Sequence, residues 1–194
     1  IFGVNAHIRS VADRFAARGY LAVAPSTFAR VQKDVDLGYG PEDMQAGMAL
    51  KAAVEGLPAP GVLPDIQAAI DYAARQSGHR VGVVGYCWGG LLAWRAACLA
   101  EGLSAAVPYY GGGITSAEEV ARRPRVPVLA HFGERDRWIT QDGVQAFAQA
   151  HPEAQVQVYP ADHGFNCDQR ASYDEAAALN ARERTMAFLA RYVG

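Results

Sequence analysis

Apolar positions recur every three or four residues in several segments of the chain, which is typical of helices with one buried face. The first such segment carries Ile8, Val11 and Phe15 on one side. Asn5 is expected to cap this helix and Gly19 to end it. The same spacing predicts further helices over about 42–54, 62–77, 88–101, 141–150 and 173–192.

Short runs that are apolar throughout lie between these helical segments. Runs of this length, bounded by turn residues, predict strands that are buried on both faces of a sheet. They place strands at 20–25, 80–85, 104–109, 126–132 and 155–159. Because strands alternate with helices, the pattern favours an α/β fold, with helices on both faces of a mostly parallel sheet. No repeat or linker interrupts it, so we expect a single domain over residues 1–194.

Composition and charge narrow the class of protein. The chain has 194 residues, of which 51% are hydrophobic, and this is enough to bury one sizeable core. A formal net charge of −2 offers no attraction to nucleic acid or to an anionic membrane. No apolar stretch reaches the roughly 18 residues of a membrane span. We therefore expect a small-molecule partner, neither nucleic acid nor membrane, and a monomer or weak homodimer.

The three cysteines, Cys87, Cys98 and Cys167, form neither an even disulfide framework nor a metal-binding CxxC pattern. The first residues show no signal-peptide pattern, so a reducing cytoplasm is the expected compartment. Neither a metal nor another cofactor is expected. Cys98 lies in the middle of a predicted helix among leucines and is interpreted as core. Cys167 is either a loop residue or part of the site.

The stretch VGVVGYCWGG (81–90) runs from a predicted strand into a cysteine flanked by glycines. The pattern GYCWG (85–89) is that of a nucleophile elbow, with cysteine in place of serine. The nucleophile's backbone is strained in such a turn, and side chains at Gly85 and Gly89 would collide with the strand and the helix. The alternative is that Cys87 is a buried apolar residue, as free cysteine often is.

An acid and a histidine follow two later strands. Asp136 comes after strand 126–132 and His163 after strand 155–159, and ligands bind beyond the carboxyl ends of such strands. The chain order is then nucleophile, acid, histidine. A helix N-terminus and a nearby imidazolium both lower a thiol's pKa, and His163 would supply the imidazole. Asp136 would hold the tautomer of that ring and stabilise its charge.

Other acids and histidines have simpler interpretations. Glu134 is expected to lie still on the strand exit. Asp162 should not reach the ring of its own neighbour, because adjacent side chains diverge. The remaining histidines are expected to have structural or solvent-exposed roles: His7, His79, His131 and His151.

With these residues in place, the chain resembles the dienelactone hydrolase family of the α/β-hydrolase fold nearly end to end. The elbow and the histidine loop are the more specific parts of the resemblance, and the helical segments only support it. The matching segments are FGVNAHIRSVADRFAARGYLAVAP (2–25), GYCWGG (85–90), PYYG (108–111), ADHGF (161–165) and ERTMAFL (183–189).

The resemblance implies a catalytic triad of Cys87, His163 and Asp136. It also implies an oxyanion hole made by the backbone N–H groups of Trp88 and Ile1. We therefore predict a hydrolase that cleaves a small ester or lactone through an acyl-enzyme on Cys87. The alternative is a non-catalytic thiol redox sensor or a small-molecule-binding module on the same fold. Sensing requires neither an acid nor a strained elbow, so the complete set favours hydrolysis.

Two expectations concern the substrate. Aromatic residues flank the triad in the sequence, which predicts a small pocket lined by Trp88, Tyr109, Trp138 and Phe165. Family members that act on dienelactones are expected to hold a substrate carboxylate with arginines, one of them four residues after the histidine.

Here Cys167 stands at that position, and residues 41–54 contain no arginine. Lys51 is a poor substitute for the forked donors of an arginine. Arg135 and Arg137 adjoin the predicted acid but are expected to face solvent. The sequence therefore predicts a preference for neutral esters or lactones over substrates that carry a carboxylate.

The chain starts at Ile1 without an initiator methionine. In the resembled fold, the strand before this residue lies between strands 20–25 and 80–85, and without it the backbone groups of both strands would be unpaired. We therefore expect an N-terminal truncation of a protein with about three more strands. The resemblance implies a glutamate directly before Ile1.

Overall fold

The computed structural model describes residues 1–194, which form two compact units, 1–78 and 79–194. The first unit contains the helices α1 (Ala6–Ala16), α2 (Pro41–Glu55) and α3 (Leu63–Ser77). Asn5 caps α1 as predicted, because its side-chain oxygen accepts from the Ile8 N–H at 3.1 Å. Its amide nitrogen donates to the Leu37 carbonyl at 2.9 Å, so one side chain both starts the helix and fixes a loop.

The prediction of a strand at 20–25 is wrong. These residues belong to no sheet, and Leu21 and Val23 are 50% and 38% exposed, so the apolar run is not buried on both faces. A strand forms only where a neighbouring strand pairs with its alternating N–H and C=O groups. No neighbour does so here.

The second unit is a parallel sheet with its connecting helices. Its four strands are ordered β1-β2-β3-β4, as along the chain, and every pair is parallel. The α/β fold and the other four predicted strands are confirmed. The five-residue α5, capped by Ser116, was not predicted. The elements are β1 (Val81–Tyr86), α4 (Trp88–Leu99), β2 (Leu103–Tyr109), α5 (Ala117–Ala121), β3 (Leu129–Gly133), α6 (Gln141–Ala150), β4 (Gln155–Tyr159) and α7 (Glu175–Tyr192).

Helices cover both faces of this sheet. α4 packs against β1 and β2, while α7 packs against β2 and β3. A Cβ at Gly82 would meet Val193 Cγ2 at 2.9 Å, at the end of α7. Gly85 faces the opposite side, because side chains alternate along a strand, and a Cβ there would overlap the Gly89 carbonyl in α4. The two glycines of β1 therefore let a helix approach closely on each face. Among all the helices, none combines the length and apolar character that crossing a membrane requires.

A chain of buried polar side chains joins the sheet to α7. His131 in β3 contacts the Tyr159 hydroxyl through Nδ1 and the Thr185 hydroxyl through Nε2, each at 3.0 Å. The Thr185 hydroxyl in turn contacts the Tyr109 hydroxyl at 2.6 Å. Because buried polar groups are costly unless they are paired, these contacts favour one position of α7 on the sheet. Burial lowers the pKa of His131 to about 3, so this imidazole is neutral near pH 7.

This histidine is expected to make the protein less stable in acid. An unfolded imidazole titrates near pH 6.5, whereas that of His131 in the folded state titrates near pH 3. Between these values the unfolded state binds the extra proton. The contribution to stability is therefore complete above about pH 6.5 and falls by up to about 1.4 kcal/mol for each pH unit below it.

Urea unfolding of wild type and His131→Gln at pH 6.5 and pH 5 tests this prediction. The variant should start less stable and lose less free energy of unfolding between the two values. His79→Gln, at an exposed histidine, is the control and should keep the wild-type pH dependence. Equal slopes for wild type and His131→Gln would contradict the prediction.

Candidate active site

Cys87 occupies a sharp turn between β1 and α4. Its backbone has φ 55° and ψ −121°, a conformation that costs a non-glycine residue on the order of 1–3 kcal/mol. The turn is held from both sides: the Cys87 N–H donates to the Tyr109 carbonyl at 3.0 Å, and the Cys87 carbonyl accepts from the Gly90 N–H at 2.9 Å. Strain of this size at a single residue is typical of a position whose side chain has a function.

The glycines around this turn do not all serve the predicted purpose. Gly85 does, because a Cβ there would overlap the Gly89 carbonyl. Gly89 itself has open space, so the collision expected at this position is absent. The second crowded position is Gly90, where a Cβ would lie 2.5 Å from the Tyr109 carbonyl oxygen. The close approach of α4 to β1 and β2 therefore requires glycine at 85 and 90.

The three predicted triad residues come together at the carboxyl ends of the strands. His163 Nε2 lies 3.1 Å from Cys87 Sγ, and its Nδ1 lies 2.7 Å from Asp136 Oδ2. The other carboxylate oxygen of Asp136 accepts from the backbone N–H groups of Trp138 at 2.8 Å and Ile139 at 3.2 Å. The acid is therefore fixed by its own loop, with one oxygen aimed at the imidazole. His163 and Asp136 are both buried.

The rival acids lie elsewhere. Glu134 is exposed at the end of β3. Asp162 accepts from the backbone N–H of His163 at 2.7 Å, and thus contacts the main chain of its neighbour and not the ring. No group of three or more histidine, cysteine or acidic side chains is arranged to hold a metal ion.

The thiol and the imidazole change each other's protonation. Burial alone would raise the pKa of Cys87, but the hydrogen bond and charge of His163, together with the Trp88 backbone N–H, lower it to about 7. Burial alone would lower the pKa of His163, but its bonds to Asp136 and Cys87 raise it to about 9. Between these values the pair is a thiolate beside an imidazolium. A buried thiol without such partners behaves oppositely, since burial raises the pKa of Cys98 to about 12.

These values predict selective alkylation. At pH 7.5, iodoacetamide should modify Cys87 and leave Cys98 unmodified, because only the thiolate reacts. His163→Ala should slow the labelling of Cys87 and move its midpoint to higher pH, since the imidazolium is lost. Peptide mass spectrometry from pH 6 to 10 measures both effects, with His79→Ala as the control. A midpoint that does not move in His163→Ala would contradict the assigned cause of the low thiol pKa.

The oxyanion hole remains a prediction. The Trp88 N–H belongs to the first residue of α4, where helix N–H groups have no partner inside the helix. It hydrogen bonds to the Cys87 sulphur, so it lies beside the atom that would attack a carbonyl. The role predicted for the Ile1 N–H is likewise untested.

A cavity of about 200 Å³ adjoins His163. Trp138 lies on its wall and is 77% exposed. Two arginines also line it: Arg137, which is exposed as predicted, and Arg170, which was not predicted. The predicted preference for neutral substrates stays a prediction, although these two positive charges beside His163 count against it. The lining residues are Arg137, Trp138, Asp162, His163, Arg170 and Ser172.

The other aromatic residues predicted for the pocket are deeply buried. Trp88, Tyr109 and Phe165 are at most 3% exposed, and the Tyr109 hydroxyl is bonded to Thr185, so their role in a pocket stays a prediction. Tyr110 was not predicted to lie at the site, yet its ring centroid is 5.1 Å from that of His163. The quoted segment PYYG contains both tyrosines, but nothing in it tells which of them reaches the histidine.

Comparison with known proteins finds relatives of one kind along nearly the whole chain. The profile of the dienelactone hydrolase family matches residues 1–193. A carboxymethylenebutenolidase from Pseudomonas putida is 34% identical over 197 residues, covering 98% of this chain and 82% of its own. A candidate carboxymethylenebutenolidase from Salmonella typhimurium is 36% identical over 209 residues, covering 100% of this chain and 75% of its own. The crystal structure of a candidate dienelactone hydrolase from Klebsiella pneumoniae has a TM-score of 0.82 and 35% identity, covering 98% of this chain and 83% of its own.

Proposed function

The chain belongs to the dienelactone hydrolase family, and from that premise we propose that it hydrolyses its ester or lactone substrate by attack of the Cys87 thiolate on the carbonyl carbon. The family makes it a hydrolase that acts on carboxylic esters or lactones. The observation that supports the thiolate mechanism is the hydrogen-bonded series Asp136–His163–Cys87, with contacts of 2.7 and 3.1 Å. Each member of it has the partner that an acyl-transfer mechanism requires.

Acylation begins from the thiolate–imidazolium pair. The sulphur of Cys87 forms a bond to the carbonyl carbon, and the carbonyl oxygen takes up the negative charge. The Trp88 N–H, together with that of Ile1, would donate to this oxyanion. The oxyanion then collapses and the C–O bond to the leaving group breaks. His163 gives its proton to the departing alkoxide, which leaves as an alcohol, or stays attached to the acyl chain if the substrate is a lactone.

Deacylation reverses these roles. His163, now neutral, accepts a proton from a water molecule as the water oxygen attacks the thioester carbon. The C–S bond breaks, and the products are a carboxylic acid and the thiolate beside an imidazolium again. Asp136 keeps Nδ1 as the protonated nitrogen and stabilises the ring's positive charge throughout.

The substrate's charge is the open part of this proposal. Arg137 and Arg170 bring two positive charges to the wall of the cavity, against one carboxylate, Asp162. Comparing kcat/KM for a lactone with and without a carboxylate decides between the classes. A preference above about tenfold for the acid, some 1.4 kcal/mol, would establish a carboxylate clamp.

Trapping of the acyl-enzyme tests the proposal directly. Mixing the protein with a p-nitrophenyl ester should give a burst of p-nitrophenol, followed by steady turnover. Acid quenching during the burst should leave the acyl group on the peptide that contains Cys87 and on no other cysteine peptide. Ester hydrolysis without any acylated Cys87 would refute the thiolate mechanism.

The non-catalytic alternative is less well supported. A thiol sensor does not require a buried carboxylate that orients the imidazole. Asp136 forms three hydrogen bonds, two with its own loop and one with His163, that hold it in this orientation. If Cys87 were only a sensor, hydrogen peroxide would oxidise it reversibly while every ester and lactone in a panel stayed intact.

A further inference from the structure

Trp138 is the one large apolar side chain on the wall of the cavity that adjoins His163. The other lining residues all carry charged or polar groups: Arg137, Asp162, His163, Arg170 and Ser172. The indole of Trp138 is 77% exposed, whereas the other two indoles of the chain are at most 3% exposed. A large aromatic side chain left exposed in a concave site is typical of a place where a ligand binds. The structure thus has an uncovered indole in the cavity beside its candidate catalytic histidine.

The backbone at Trp138 is fixed by the triad acid. Its N–H donates to Asp136 Oδ1 at 2.8 Å, and the N–H of the next residue, Ile139, donates to the same oxygen at 3.2 Å. Ile139 is itself 1% exposed, so the chain is anchored directly after the indole. Trp138 therefore starts from a defined position relative to Asp136, although its side chain is exposed. These bonds use only backbone N–H groups, so replacing the indole leaves them in place.

The mechanism indicates which part of a substrate lies in this cavity. His163 gives its proton to the departing oxygen, so the alcohol part of an ester lies on the histidine side of the reacting carbonyl. The cavity is on that side, because His163 forms part of its wall. An apolar group in the alcohol part therefore has only the Trp138 indole to contact there.

The chemistry of the wall favours an aromatic group over a saturated one. Aromatic rings that stack on an indole gain free energy beyond that of the area they bury. Guanidinium groups are also attracted to the faces of aromatic rings, and those of Arg137 and Arg170 line the same cavity. A saturated chain gains neither interaction. The cavity of about 200 Å³ is large enough for one ring, since an apolar cavity of about 150 Å³ holds benzene.

We propose that the Trp138 indole forms a subsite for an aromatic leaving group, which makes aryl esters, the esters of phenols, a substrate class of this site. The inference rests on the proposed function, because it assumes acyl transfer at Cys87 with His163 as the proton donor. The leaving group contacts the indole equally in the bound substrate and in the transition state, and it departs before deacylation. Trp138 therefore determines KM and kcat/KM for aryl esters and leaves kcat unchanged.

Trp138→Ala and a pair of acetate esters test this inference. For phenyl acetate the variant should lose about tenfold in kcat/KM through a higher KM, with kcat within about twofold of wild type. For trifluoroethyl acetate, whose leaving group is not aromatic, both constants should stay within about twofold of wild type. Each ester is compared only between proteins, so the different reactivity of the two leaving groups cancels. Trp138→Phe should restore most of the lost kcat/KM, because phenylalanine still offers a ring.

Tyr72→Ala is the control for the loss of an exposed ring, since Tyr72 is 48% exposed in α3 and does not line the cavity. It should leave both esters unaffected. Equal losses on the two esters in Trp138→Ala would overturn the inference, because the indole would then act through the triad. Wild-type kcat/KM for phenyl acetate would overturn it as well. A larger loss on trifluoroethyl benzoate than on trifluoroethyl acetate would also do so, because the indole would then contact the acyl part.

Acetanilide, the amide counterpart of phenyl acetate, separates failure of this inference from failure of the proposed function. Bound at the site, it should protect Cys87 from iodoacetamide, and Trp138→Ala should require about five- to tenfold more of it for the same protection. If no ester is hydrolysed but this difference is found, hydrolysis fails and the aryl subsite stands. Equal protection of the two proteins, or none, refutes the subsite whether or not esters are hydrolysed.

Discussion

Replacing Cys87 with alanine is expected to lower kcat for ester hydrolysis on the order of 10⁶-fold, the scale of loss when an acyl-enzyme nucleophile is removed. No other side chain can take over, because only this sulphur lies 3.1 Å from His163 Nε2. Cys87→Ser should also lose most of the activity. The site gains its charge from a thiol whose pKa is already lowered to about 7, and an alcohol there would stay protonated.

Cys98→Ala is the matched control for this experiment. Cys98 is buried in the last turn of α4, eleven residues after Cys87. Its replacement should cost about 1–2 kcal/mol of stability and leave kcat unchanged. Circular dichroism and thermal unfolding of all three variants show whether a loss of activity reflects chemistry or folding. Full turnover by Cys87→Ala would exclude the mechanism.

Asp136→Asn is expected to lower kcat about 10⁴-fold while leaving the fold intact. The amide oxygen of asparagine can still accept from the Trp138 and Ile139 N–H groups, so the loop keeps its shape. The amide nitrogen would then face His163 Nδ1 and donate to it. Donation forces the ring's proton onto Nε2, and the imidazole can no longer take the proton of the thiol.

Glu134→Gln is the control, since this carboxylate, two residues before Asp136, is exposed at the end of β3 and does not line the cavity. It should stay within about threefold of wild type, whereas Asp136→Asn should also lose the raised pKa of His163 and thus the alkaline limb of the pH–rate profile. Similar kcat values for the two variants would mean that Asp136 does not orient the histidine.

The sequence was sufficient for the parts of the site that depend on local patterns. The elbow is a contiguous stretch of sequence. A cysteine between glycines at the end of an apolar run is enough to predict a sharp turn between a strand and a helix. Asp136 and His163 follow strands, and parallel strands bring their carboxyl ends to one edge. The order of the chain thus predicted which three residues would meet, and the distances agree with it.

Features that depend on distant neighbours were not predictable in this way. Residues 20–25 have the composition of a strand, but a strand also requires a partner, and composition does not supply one. Tyr110 lies one residue beyond the end of β2, where φ 36° breaks the alternation of side chains. Arg170 reaches the cavity through two successive turns, in which Cys167 N–H donates to Gly164 and Arg170 N–H donates to Cys167. Nothing in the sequence indicates that a residue seven positions after His163 folds back to the same cavity.

The exposed indole on the wall of the cavity gives the protein a built-in optical probe. The chain has three tryptophans, and Trp88 and Trp94 are 3% and 0% exposed, so a charged collisional quencher such as iodide should reach only Trp138. A ligand that fills the cavity beside His163 is expected to cover part of this ring, which would reduce its quenching and shift its emission to shorter wavelength. Occupancy of the site can therefore be followed by intrinsic fluorescence, without a chromogenic ester and in variants that have lost turnover.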